Sequence, residues 1–165
     1  MLMILQLITL FLIAVTMACT VGHALELPGK MRLTKDAYLT VQPIYYPGFA
    51  IAGFAEIGAL PMTFALLFFT PRETTAFTLT LWSLVALLTV QIVFWIVTQP
   101  VNKFWLANQG LQGASATFFG TRRGEPDAQS SDWTALRNRW EYSHVARAVA
   151  ASAALMLLAT AIAVD

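Results

Sequence analysis

The chain has 165 residues, of which 58% are hydrophobic and 12% charged, whereas a water-soluble domain is nearer half apolar and a quarter charged. Ten Lys and Arg against nine Asp and Glu leave a net charge of +1, too little basic surface for a nucleic-acid binder, and eleven Phe with five Trp exclude a disordered chain. The single cysteine, Cys19, excludes an intrachain disulfide, so the composition points to an integral membrane protein.

Four apolar runs, over residues 2–22, 48–70, 76–98 and 145–164, are each long enough to cross a hydrocarbon core of about 30 Å as a helix. The second holds one charge, Glu56, and the fourth holds one, Arg147. Runs that are apolar on every side suit helices and not the alternating strands of a barrel. No Lys or Arg precedes the first run, so it reads as a retained span rather than a cleaved signal peptide. Its helix is expected to continue through His23 to about Leu27, where Pro28-Gly29 stops it. The short connection at 71–75 makes the second and third spans an antiparallel hairpin. Gly, Ser, Ala and Gln over 110–131 predict a flexible cytoplasmic loop. Asp132 is a good N-cap, and from it the fourth helix should run about three turns before reaching the bilayer.

The fold expected is all-α: one domain over 1–165, an integral membrane four-helix bundle whose partner is the lipid bilayer. An even number of crossings puts both termini on one side and both long connections on the other. Lys30, Arg32, Lys35, Lys103, Arg122, Arg123, Arg137, Arg139 and Arg147 belong to the long-connection side, and only Arg72 to the other. The positive-inside rule then places the long connections in the cytoplasm and both termini on the non-cytoplasmic side. In a bacterium that membrane is the inner, cytoplasmic one.

This topology gathers polar residues that are distant in sequence. His23 and Glu26 end the first helix, Asn102 follows the third, and Glu141, His144 and Arg147 lie where the fourth meets the bilayer. His23 with Glu26 and Glu141 with His144 are each three apart, hence on one helical face, and Glu-x-x-His is a ligand pattern of di-iron and di-manganese bundles. The readings open for His23, Glu26, Glu141 and His144 are a transition metal or haem site held by the histidines, acid–base chemistry without a cofactor, or a structural role with Arg137 and Glu141 as a surface pair. Glu56, about 12 Å inside its span at 1.5 Å per residue, is expected to lie too deep to join the histidines. Arg147 should reach it, with Gln91 at similar depth, as a structural ion pair or as the floor of a substrate cavity walled by Thr16, Gln91, Trp95 and Thr98. Ala146, Ala150 and Ala154 form a small-xxx-small row that favours close helix approach.

Four segments together resemble bacterial members of the anthrone-oxygenase-like family of small four-helix membrane proteins. They are His23-Ala-Leu-Glu-Leu-Pro-Gly-Lys30, Tyr38-Leu-Thr-Val-Gln-Pro-Ile-Tyr45, Pro100-Val-Asn102, and Trp133 through Leu136-Arg137 to Trp140-Glu-Tyr-Ser-His144. Most bacterial members are catalogued only as a domain of unknown function. The 110–131 stretch is longer than the family pattern. The resemblance implies an oxidoreductase that uses O₂ on an apolar aromatic or quinone-like substrate, as fungal members convert an anthrone to an anthraquinone. It implies that His23 and His144 accept protons or bind metal, that Glu26 and Glu141 orient them, that Asn102 bonds a substrate oxygen and that Trp140 stacks on a ring. The contrasting expectation is a non-enzymatic protein: a lipid- or quinone-binding protein, or an accessory or structural subunit of a larger membrane complex or homo-oligomer.

Overall fold

The computed structural model describes residues 1–106 and 132–164, and the loop expected at 110–131 lies outside them. The described chain forms helices α1 (Leu2–Lys30), α2 (Lys35–Val41), α3 (Tyr46–Phe69), α4 (Thr75–Val93), α5 (Gln99–Leu106) and α6 (Trp133–Ala163). A 3₁₀ turn, Gln42–Tyr45, joins α2 to α3, and a π-helical turn, Phe94–Thr98, carries α4 into α5. There is no strand among the described residues. Four helical stretches, Leu2–Lys30, Gly48–Phe69, Thr75–Asn102 and Trp133–Ala163, are long and apolar enough to cross a membrane. Around the bundle α1 packs on α3, α3 on α4, α4 on α6, and α6 on α1. Large apolar side chains such as Phe11, Phe68, Trp82, Ile92, Val149 and Met156 point outward, which water would penalise and lipid does not.

The helix ends follow from local chemistry. Asp132 Oδ1 accepts from the backbone N–H groups of Thr134 and Ala135 at 3.0 and 3.3 Å, so the expected cap is formed and α6 starts three turns before residue 145. Thr74 caps α4 by accepting from Phe77 N–H at 3.1 Å. α1, however, does not stop at Pro28-Gly29 but continues through them to Lys30. Proline removes one intrahelical hydrogen bond, and the extra turn is held by the contacts that Lys30 makes inside the bundle.

The π turn also alters an expected face. Its wider winding leaves carbonyls without their usual partners, and Arg139 Nη2 donates to Ile96 O at 3.1 Å. Because the 3.6-residue period is broken there, Trp95 is exposed while Thr98 is buried, although both were expected on one wall. The alanine row is likewise not the buried one. Ala146 is exposed, and the inner face of α6 runs through His144, Arg147, Ala151, Ala154, Leu158 and Ala161, because a strict four-residue step overshoots the helical period by about 40° each time. The core divides into an aliphatic end around Ile13, Leu66, Leu87 and Leu158 and an aromatic end around Tyr38, Tyr46, Phe94, Trp105 and Trp140.

Candidate functional site

The aromatic end is where both long connections leave the bundle, and all the expected polar residues of α1, α5 and α6 meet there. A cavity reaching down between the helices is lined by His23 and Thr20 of α1, Phe49 and Glu56 of α3, Asn102 of α5, and Trp140, His144 and Arg147 of α6. It encloses about 520 Å³ of non-atom space, its mouth included. Most of this is crevice, and the part open to a water-sized sphere would hold on the order of three waters.

His23 and His144 face each other across it with ring centroids 4.2 Å apart. Phe49 packs on His23 at 4.3 Å, and Trp140 packs edge-on against His144 at 4.2 Å. Trp140 is itself held by its indole N–H, which donates to Asn102 Oδ1 at 2.7 Å, while Asn102 Nδ2 donates to Gln99 Oε1 at 3.0 Å. Asn102 was expected after the third helix but sits within α5, in the same helical rod. The wall expected from Gln91 and Trp95 is not there. Trp95 Nε1 donates to Gln91 Oε1 at 3.0 Å, and neither residue lines the cavity, whereas Thr16 and Thr98 do.

The Glu56–Arg147 pair forms as expected, with Arg147 Nη2 donating to Glu56 Oε2 at 2.6 Å and Gln91 Nε2 to Glu56 Oε1 at 2.9 Å. Glu56 is nevertheless not cut off from the histidines, because Arg147 Nη1 lies 3.3 Å from His144 Nδ1. The rise per residue was a sound measure of depth, but a guanidinium spans the gap.

The carboxylates of the two His/Glu motifs both face Lys30. Glu141 Oε1 accepts from Tyr38 OH at 2.8 Å and lies 3.8 Å from Lys30 Nζ. Glu26 Oε2 is 2.8 Å from Lys30 Nζ and 3.8 Å from His23 Nδ1. Lys30, 4% exposed, also lies over the rings of Tyr45 and Trp140 at 4.5 and 4.8 Å. The expected surface pair of Arg137 with Glu141 does not form. Glu141 is buried, and Arg137 donates to Met31 O and Asn138 Oδ1. Among the described residues no three His, Cys, Asp or Glu side chains gather as metal ligands. An ammonium stands between the carboxylates where a metal would have to be, so the four residues do not fit a shared metal site.

Sequence reasoning missed Lys30 and Tyr38. Lys30 had a usable signal in its spacing of four from Glu26 and seven from His23, masked by the stop expected at Pro28-Gly29. Tyr38 lies on the short α2, whose sign was the cap Thr34, accepting from Ala37 N–H at 3.4 Å. Burial raises the Tyr38 hydroxyl above the ordinary phenol range, and the Glu141 carboxylate beside it adds to the shift. Burial raises Tyr45 as well, helped by Glu26, and Tyr46, helped by Tyr45. Compared with known proteins, the chain has no significant match to a family model, a curated protein or a solved structure.

Proposed function

We propose that this is a membrane oxidoreductase of anthrone-oxygenase type, acting with O₂ on an apolar aromatic ketone at the cytoplasmic side of the bilayer. The observation that carries the reading is the facing His23 and His144 pair in a cavity walled by Phe49 and Trp140, a place for a flat ring beside groups able to move a proton. The resemblance in the four motifs supports the reaction class. His23 is the base: its Nδ1 lies 3.5 Å from Lys30 Nζ and 3.8 Å from Glu26 Oε2, a looser hold than the 3.3 Å contact of His144 Nδ1 with Arg147. A proton of the CH2 group opposite the ketone in the central ring passes to His23, and the electron pair left behind delocalises through the ring onto the ketone oxygen. O₂ accepts the electrons, so that anthrone and O₂ give anthraquinone and water without a resident cofactor. Asn102 keeps Trp140 in place as the stacking wall. Because the open space is narrow, the ring enters only as the half-buried Tyr45 and Phe49 swing aside.

The test is anthrone consumption and O₂ uptake by protein purified in detergent, measured above the spontaneous rate and accompanied by elemental analysis. His23→Ala should lower the catalysed rate by about 10²-fold or more, as loss of a general base does. A wild-type rate equal to that of buffer overturns the oxygenase reading, and a metal or haem lost in both His23→Ala and His144→Ala overturns the cofactor-free one. The narrowness of the cavity favours one second reading, a non-catalytic lipid- or quinone-binding protein, for which ligand binding without turnover is the expected result.

A further inference from the structure

His144 is 4% exposed, and its Nε2 is buried in the cavity lining without a hydrogen-bond partner. Its other nitrogen, Nδ1, lies 3.3 Å from Arg147 Nη1. A guanidinium donates and never accepts, so Nδ1 must be the acceptor, and a ring with a bare Nδ1 carries its hydrogen on Nε2. Arg147 is itself fixed at 2.6 Å by Glu56, which Gln91 holds from the other side at 2.9 Å. The chain Gln91–Glu56–Arg147–His144 thus leaves two buried N–H groups without an acceptor in the protein, Arg147 Nε and His144 Nε2, both on residues that line the cavity, and the His144 ring is the end of the chain. A buried donor without an acceptor is costly, and the cost is removed by a ligand that brings one.

We propose that the cavity recognises its ligand through a carbonyl or enolate oxygen accepted on the Nε2–H of His144, with Glu56 and Arg147 as positioning residues that set the tautomer. This rests on the reading that an aromatic ligand enters here, and it names the part of the ligand that is recognised: a ketone or quinone oxygen, not the hydrocarbon ring. It makes His144 a donor, since a ring whose Nδ1 is taken by Arg147 and whose Nε2 bears hydrogen donates to the ligand and takes no proton from it. An oxygen that gains negative charge as an enolate forms would be bound more strongly than the ketone.

The protein has two histidines, so a ¹⁵N spectrum of histidine-labelled protein in detergent contains two rings, and His144→Gln assigns them. The expected spectrum shows His144 bare at Nδ1 and protonated at Nε2, and the Nδ1–H tautomer would overturn the proposal whatever the protein's activity. Binding is read with 2-methyl-1,4-naphthoquinone against 2-methylnaphthalene, which keeps the rings and lacks the oxygens. Wild type should prefer the quinone. His144→Ala should lose about tenfold in quinone affinity, the worth of one buried hydrogen bond, with no change for the hydrocarbon. His144→Gln keeps an N–H near the Nε2 position and should stay within about threefold of wild type, so a loss as large as that of alanine overturns the donor role. Equal binding of the two probes by wild type overturns this inference and leaves the apolar-cavity reading standing. Binding of neither overturns both.

Discussion

An ammonium taken out of water persists only where carboxylates and ring faces replace its hydration, and Lys30 has two of each within about 5 Å. Its partners are unequal: Glu26 is 42% exposed at its side chain, whereas Glu141 is shut in with Tyr38. Lys30→Met should therefore destabilise by about 3 kcal/mol, as when one member of a buried pair is removed. Tyr38→Phe should cost about 1.5–3 kcal/mol for a hydrogen bond to a charged group, and Glu26→Gln less than about 1 kcal/mol because water screens it. Thermal unfolding in detergent should rank the three in that order, and Glu26→Gln as damaging as Lys30→Met would contradict the role given to Glu141. The tyrosines give a test by pH. With their hydroxyls raised in the folded protein, Tyr38, Tyr45 and Tyr46 should stay protonated at pH 11, where tyrosines of the unfolded chain have ionised. Above about pH 10 the unfolded state then binds fewer protons than the folded one, so stability falls as pH rises. Phenolate absorbance should appear together with unfolding rather than before it.

Between elements, the Glu56–Arg147 ion pair is a charged tie across the middle of the bundle, joining α3 to α6 and, through Gln91, to α4. Both members are buried, so breaking the pair is worse than never having it. Arg147→Met alone should destabilise by about 3–5 kcal/mol by stranding the carboxylate, while Glu56→Leu combined with Arg147→Leu should recover most of that loss. A double variant as unstable as the sum of the singles would mean that the pair holds the fold in its own right. This tie was legible in the sequence because each charge is alone in its span. Other elements were less so. A proline reads locally as a helix stop, and nothing local reveals that Lys30, two residues later, has a buried seat on α6. The π turn has no periodic signature of its own, so the face through Gln91, Trp95 and Thr98 looked continuous and is not. α2 is too short for a hydrophobic period to announce it.

At the scale of the whole molecule, four spans and the clustering of polar residues at one end were readable from the sequence, because lipid demands long uncharged helices and an even number of them brings both long connections together. The orientation of that end relative to the cytoplasm rests on charge alone. Among the described residues every Lys and Arg but Arg72 belongs to the end that carries the cavity, and moving them to the outer face would oppose the positive-inside bias. The chain has one cysteine, so Cys19→Ala gives a background free of thiols. In that background Arg72→Cys marks the α3–α4 turn and Ser130→Cys the connection to α6. A membrane-impermeant maleimide should label Arg72→Cys in intact bacterial cells and Ser130→Cys only after the membrane is opened. The reverse pattern would place His23 and His144 on the outer face, so that any substrate would reach them from outside the cell rather than from the cytoplasm.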